Sequence, residues 1–126
     1  MKRLSLETVV AIHSELIAQS GGLDGIRDNN LLDQSINSPY HTFGGEYLYP
    51  TLQAMAAHLA FSLIKNHPFL DGNKRIGILS MLVFLDINSL PLTCTDDELV
   101  TLGLGLADSS ITETDLVEWI ISHGDS

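Results

Sequence analysis

A polar turn between two apolar helical runs constrains the fold of this chain more than any other feature of its sequence. The turn occupies residues 66–77 and reads Asn-His-Pro-Phe-Leu-Asp-Gly-Asn-Lys-Arg-Ile-Gly. Pro68 disfavours helical backbone at His67, so the incoming helix should end there. Asp71-Gly72 is a dipeptide typical of turns, and the apolar run from Asn73 to Ile87 predicts the next helix. The sequence therefore predicts two helices joined by a short polar loop.

The start of the second helix has the chemistry of an anion site. Free backbone N–H groups near Gly72 favour a phosphate. Lys74 and Arg75 add charged donors, each worth about 1.5–3 kcal/mol to a well-placed anion. His67 can accept a proton near neutral pH, and Asp71 is a hard oxygen ligand suited to Mg²⁺. Together these residue types predict transfer of a nucleotide phosphate.

Composition indicates one small domain. The chain has 126 residues, of which 44% are hydrophobic, enough for one core but not for two. The single cysteine, Cys94, excludes an internal disulfide and is consistent with a reducing compartment. No signal peptide follows Met1, and the apolar run Ile76 to Ile87 is too short to span a bilayer. We therefore expect a cytoplasmic protein without a membrane partner.

The charge distribution indicates a local phosphate site. The formal net charge is −10, which argues against direct binding of nucleic acid, because phosphate backbones need basic surface. Half of the six basic residues, namely Lys65, Lys74 and Arg75, lie around the turn. A positive spot in an acidic molecule favours a small phosphate group over a long polyanion.

Periodicity predicts an all-α bundle of about six helices around the central apolar helix, Ile76 to Ile87. Capping residues predict where the other helices begin: Ser5 would cap a helix over residues 6–19, and Asp28 to Asn30 would cap a short helix over 31–38. Pro50 would open an amphipathic helix that runs through Ile64. Thr95 with Glu98 would cap a helix to about Ala107, and Thr112 would cap the last helix. No strand alternation is found. His13 falls on an apolar stripe and is expected to be a core histidine, and Gly77 is expected to permit a close helix crossing.

The turn HPFLDGNKR resembles the active-site loop of the Fic/Doc superfamily, whose pattern is H-x-F-x-D/E-G/A-N-G/K-R. The flanking helices and the N-terminal run resemble the death-on-curing (Doc) toxins of type II toxin–antitoxin systems. The resemblance implies one Fic/Doc domain over residues 1–126, with the active loop at 66–75. It also implies a flap at 41–48, in which Phe43 or Tyr47 contacts a target peptide. The alternative is an ordered surface loop whose aromatic side chains pack on the body.

The resemblance also implies roles for the loop residues. His67 would be the general base, Asp71 would hold Mg²⁺, and Asn73 would join the helix amides in an anion hole. Gly72, Asn73, Lys74 and Arg75 would bind ATP, with Asn73 and Arg75 also counted as catalytic. Phe69 is expected to anchor the loop in the core. The implied partners are a cognate antitoxin and elongation factor Tu, which Doc toxins phosphorylate.

The loop combines features of two subfamilies. Pro68 and Gly72 are as in Fic enzymes that transfer AMP, whereas Asp71 and Lys74 are as in Doc toxins. We favour a kinase, because Lys74 replaces the glycine that accommodates the diphosphate in AMP transferases. AMP transfer is the main alternative. A non-catalytic binding module is disfavoured by the intact set of loop residues, and a metal-dependent hydrolase using His67, Asp71 and His58 is weaker still.

The chain also lacks the self-inhibitory motif of many Fic proteins, S/T-x-x-x-E-G/N. Three Ser or Thr residues precede a Glu at the required spacing, at 42–46, 109–113 and 114–118, but no Gly or Asn follows any of them. The sequence therefore predicts inhibition by a separate antitoxin.

Overall fold

The computed structural model, which describes residues 1–124, contains six α-helices and one small β-hairpin. In chain order the elements are α1 (Leu6–Ser20), α2 (Asn29–Asn37), a 3₁₀ turn (Ser38–Tyr40), β1 (Thr42–Phe43), β2 (Glu46–Tyr47), α3 (Leu52–Asn66), α4 (Asn73–Ile87), α5 (Asp96–Asp108) and α6 (Glu113–His123). The prediction of an all-α fold of about six helices is confirmed. Within residues 1–124 no helix has the length and hydropathy needed to cross a bilayer.

Side-chain caps determine where most helices begin. Ser5 accepts a hydrogen bond from the Thr8 amide at 3.1 Å, as predicted for α1. Thr95 with Glu98, and Thr112 with Asp115, form reciprocal capping boxes at α5 and α6. The third helix begins later than predicted, because its cap is Thr51 and not Pro50.

The centre of the fold is the close packing of α3 against α4, which share the most extensive interface of any two elements. Ile76, Met81 and Phe84 of α4 are almost wholly buried there. A Cβ atom at Gly77 would lie 2.7 Å from Ile64 Cγ1 and 3.1 Å from the Ala60 carbonyl. The prediction that Gly77 permits a close crossing is therefore confirmed. Since the active loop joins these two helices, their packing fixes both of its ends.

A small β-hairpin lies before α3, in a chain whose sequence shows no strand alternation. Thr42 pairs with Tyr47 and Phe43 with Glu46 in antiparallel register. Gly44 and Gly45 form the turn at φ values of 61° and 84°, the left-handed backbone of a two-residue hairpin turn. Residues 41–48 are all exposed. Phe43 is 81% exposed, so its ring does not pack on the body of the protein.

Candidate active site

The loop between α3 and α4 is shaped by two residues with left-handed backbone. Helix α3 ends at Asn66, and His67 follows at φ 48° and ψ 54°, as the prediction from Pro68 required. Gly72, at φ 78°, immediately precedes α4. A Cβ atom at Gly72 would approach Ile17 Cδ1 to 3.2 Å, so glycine suits both the backbone and the space at this position.

The side chain of Asn73 holds the loop together from inside. Its Oδ1 accepts from the Phe69 amide at 3.0 Å, and its Nδ2 donates to the Phe69 carbonyl at 3.1 Å. Nδ2 also lies 3.2 Å from His67 Nδ1. Because the two Phe69 bonds fix the orientation of the amide, Nδ2 is the donor to His67. The neutral His67 ring in this arrangement therefore has its proton on Nε2.

Phe69 anchors the loop in the core, as predicted, and is 1% exposed. Its ring stacks on that of His13 with centroids 3.8 Å apart and an interplanar angle of 11°. His13, itself 1% exposed, donates from Nε2 to the Asp71 carbonyl at 2.7 Å. The prediction of a satisfied core histidine is confirmed. Its partner, however, is the active loop, which the sequence did not reveal.

A cavity of about 300 Å³ opens at the start of α4. It is lined by every predicted site residue and by Leu70: His67, Leu70, Asp71, Gly72, Asn73, Lys74 and Arg75. Among the α-helices within residues 1–124, α4 alone begins without a side-chain cap. The geometry therefore combines helix-start amides with two cations, which is a favourable environment for a phosphate.

Asp71 is the one carboxylate that lines this cavity. Hydrogen bonds from the Gly72 amide at 2.8 Å and the Leu23 amide at 3.3 Å, with a smaller contribution from the Arg75 charge, hold the pKa of Asp71 below its usual range. In the described part of the chain, no group of three or more His, Cys, Asp or Glu side chains is arranged to hold a metal. A single ionised carboxylate beside a phosphate site nevertheless fits Mg²⁺, which commonly takes one or two carboxylates plus substrate phosphates.

The three basic residues predicted around the loop occupy different places. Lys74 is exposed at the mouth of the cavity. Arg75 turns towards the end of α1, where its Nη1 donates to the Gly21 carbonyl at 3.3 Å and to Ser20 Oγ. Lys65 lies outside the cavity and donates to Ser109 Oγ and to the Ala107 carbonyl. These contacts connect the end of α3 to the end of α5, so the charge of Lys65 lies near the loop in sequence but does not line the cavity.

His58 takes no part in the site. Its Nδ1 lies 2.7 Å from Glu113 Oε1, and its Nε2 lies 3.1 Å from Ser62 Oγ. This is the order of a Ser-His-acid triad, but Ser62 is only 6% exposed and is out of reach of a substrate. The three side chains connect α3 to α6, and the hydrolase that would use His58 with His67 and Asp71 has no support.

Residues 25–28 form backbone hydrogen bonds with the loop, which was not predicted from the sequence. The Leu70 amide donates to the Gly25 carbonyl at 3.0 Å, and the Arg27 and Asp28 amides donate to the Pro68 carbonyl at 2.8 and 3.1 Å. The only sequence signal for this pairing is a run of turn residues after α1, which does not identify the partner.

The loop lies within a part of the chain that is similar to known proteins. Residues 3–85 match the model of the Fic/DOC family. The chain is 40% identical to Toxin Doc of Mycolicibacterium smegmatis over 77 residues, which is 61% of this chain and 59% of that protein. It is 27% identical to Protein kinase doc of Escherichia phage P1 over 118 residues, which is 94% of this chain and 92% of that protein. The first alignment thus spans less than two thirds of the mycobacterial relative.

Proposed function

The chain belongs to the Fic/DOC family, and on that premise we propose that it is a toxin of a toxin–antitoxin module that phosphorylates a translation factor. The reaction would move the terminal phosphate of ATP, with Mg²⁺, to a serine or threonine hydroxyl of elongation factor Tu and so arrest translation in the cytoplasm. The observation that supports this most is the cavity where His67, Asp71, Lys74 and Arg75 meet at the uncapped start of α4. The name of the phage relative, Protein kinase doc, supports the same reaction type.

The residues of the cavity divide the work of phosphate transfer. Bound Mg²⁺ would supply positive charge that neutralises phosphate oxygens, and Asp71, which lines the cavity, would hold it. The amides at the start of α4, together with Gly72, Lys74 and Arg75, would bind the phosphates. Arg75 can turn from the Gly21 carbonyl into the cavity, since its side chain is 39% exposed. Asn73 would act mainly by holding the loop, because its amide is already bonded.

His67 is proposed as the general base, a role typically worth about 10²–10⁴ in rate. Its Nδ1 accepts from Asn73 Nδ2 in the resting site, which leaves the proton of the neutral ring on Nε2. We infer that the contact with Asn73 breaks when the target binds, because the ring must present an unprotonated nitrogen to the hydroxyl. The exposed position of His67 leaves room for that rotation.

AMP transfer is the second candidate. Gly72 favours AMP transfer, because the AMP-transferring loops also have glycine at this position, where the backbone is left-handed here. Lys74 opposes it, since a long cationic side chain stands where those loops have glycine.

A labelling experiment tests the proposed activity. The protein, Mg²⁺ and labelled ATP are incubated with a cell lysate, and His67→Ala is compared with His123→Gln, a change on α6 at a histidine that contacts Glu98. We expect a labelled protein band with the wild type and with His123→Gln, and none with a folded His67→Ala protein. Full labelling by folded His67→Ala would contradict the role of His67. No labelling by the wild type would support the binding module instead.

We place the antitoxin in an apolar groove beside the active loop. The groove, of about 530 Å³, runs from Lys74 and Arg75 between α1, α4 and α5, past the exposed side chain of Leu104. By resemblance, a disordered antitoxin segment would fold onto this surface. The wild type expressed alone should arrest growth, and antitoxin should relieve the arrest for the wild type but not for Leu104→Asp. Relief of the arrest for Leu104→Asp would contradict the groove as the binding surface. Harmless high-level expression of the wild type alone would count against inhibition by a separate antitoxin.

A further inference from the structure

We propose that Arg27 is a positioning residue that fixes the backbone of His67 and so the position of the Cβ atom from which its imidazole rotates. The inference rests on the proposed phosphate transfer, in which His67 is the base. Arg27 lies in the connection between α1 and α2, and its side chain reaches the end of α3. Its Nε donates to the His67 carbonyl at 2.6 Å, and its Nη2 donates to the Asn66 carbonyl at 2.8 Å.

His67 needs such a partner because its backbone is strained. In left-handed backbone the Cβ atom of a residue comes too close to the following carbonyl oxygen, and such residues persist where their surroundings over-determine them. His67 adopts this backbone at φ 48°. Its own side chain is exposed, and its hydrogen bond in the structure is the one from Asn73. The position from which the ring can reach a substrate therefore depends largely on how firmly the backbone is held.

Arg27 holds the backbone in a way that another cation could not reproduce. The carbonyl of Asn66, the last residue of α3, and that of His67, which follows it, lie at the helix C-terminus, where carbonyls lack helical partners and have partial negative charge. The planar guanidinium offers two donors in a fixed fork, and it meets two consecutive carbonyls here. A lysine offers a single ammonium group. Main-chain hydrogen bonds hold the next residue as well, because the Arg27 and Asp28 amides both donate to the Pro68 carbonyl.

A purely stabilising helix cap would have the same contacts, so the test must separate catalysis from stability. Arg27→Met keeps the apolar stem and removes both donors, and Arg27→Lys keeps the charge. Lys65→Met is the matched control, since Lys65 is a cation in the last turn of α3, the helix end that Arg27 reaches, but it donates to Ser109 and Ala107. It removes one positive charge from the same helix end without removing a contact to the loop.

For a positioning residue, kcat should fall while KM for ATP stays constant. We expect Arg27→Met to lower kcat about 10- to 100-fold, the scale of a displacement of about 1 Å at a reacting group. Arg27→Lys should lose less, and millimolar methylguanidinium should restore part of the kcat of Arg27→Met. Lys65→Met should match the wild type. Unchanged kcat in a folded Arg27→Met protein would overturn the proposal.

A second measurement does not depend on the enzymatic activity. Amide hydrogen exchange should become at least about tenfold faster at Phe69 and Leu70 in Arg27→Met, while amides in the middle of α4 keep their protection. Unchanged exchange in the loop would overturn the proposal even if no phosphate transfer were ever found. If Arg27→Met does not fold, kcat and the amide exchange of the loop are compared between Arg27→Lys and Lys65→Met, and these two measurements decide the question.

Discussion

Hydrogen bonding divides the loop residues into those that hold its shape and those that can bind a substrate. The side-chain amide of Asn73 is hydrogen-bonded to Phe69 and His67, so it connects the two ends of the loop. Lys74 is exposed and lines the cavity. Asp71 belongs to both groups, because its oxygens accept two backbone amides while its side chain remains 46% exposed.

The bonds to Asp71 make a prediction about pH. Its pKa is held below the ordinary value of 3.8 by the Gly72 and Leu23 amides. A carboxyl with a lowered pKa in the folded protein adds stability above its unfolded pKa, and that stability is lost as pH falls through the folded pKa. The difference in free energy of unfolding between wild type and Asp71→Asn should therefore be largest near neutral pH and shrink below about pH 4.

Urea denaturation of both proteins at a series of pH values measures this difference. Asp86→Asn, which removes an exposed carboxylate from α4, controls for the change in net charge. A difference that grows as the pH falls would show that the assigned sign is wrong.

At the scale of elements, the site depends on the crossing of α3 and α4. Gly77→Ala should destabilise the protein by about 1–3 kcal/mol, the usual cost of overpacking a core. The reason is that the added Cβ would lie 2.7 Å from Ile64 Cγ1. Gly103→Ala is the control, since its added Cβ would lie an ordinary 3.6 Å from Ile78 Cγ1. It should be neutral or stabilising by up to about 1 kcal/mol through helix propensity.

Denaturant midpoints of the two variants check the crossing. If Gly77→Ala were as stable as Gly103→Ala, the helices would be packed less closely than the structure indicates.

The hairpin makes a prediction about the target. Phe43 is 81% exposed, so Phe43→Ala should leave the melting temperature unchanged. If β1 and β2 form the flap, the same change should slow modification of the target at least fivefold, about the effect of an interface residue worth more than 1 kcal/mol. Ile121→Ala, at a 62% exposed position on α6, serves as the control. Equal rates for the two variants would remove the flap assignment.

At the scale of the whole molecule, the features that could be predicted from the sequence are those that depend on residues close together in the chain. The caps at Ser5 and at Thr95 with Glu98 act over three residues, so composition and spacing were enough to place α1 and α5. The family pattern of the loop likewise lies within one short stretch. The hairpin was missed because strands of two residues have no period, although Gly44-Gly45 was a usable hairpin signal.

Contacts between distant parts of the chain could not be predicted in this way. Nothing in the sequence around His13 or Arg27 identifies partners in the active loop, which lie 58 and 40 positions further along the chain. Those partners depend on how α1 and the following connection pack against the loop. The loop's residue types were therefore readable from sequence, while the residues that hold it in place needed the structure.

The measurement that most directly tests the proposed function identifies which phosphorus atom is transferred. Two samples of ATP, one labelled at the α and one at the γ phosphorus, are incubated with the protein, Mg²⁺ and elongation factor Tu. We expect label from γ alone, because Lys74 at the cavity mouth crowds the pose that presents the α phosphorus and attracts charge in the reversed pose. Label from the α phosphorus would mean AMP transfer and would contradict the proposed kinase.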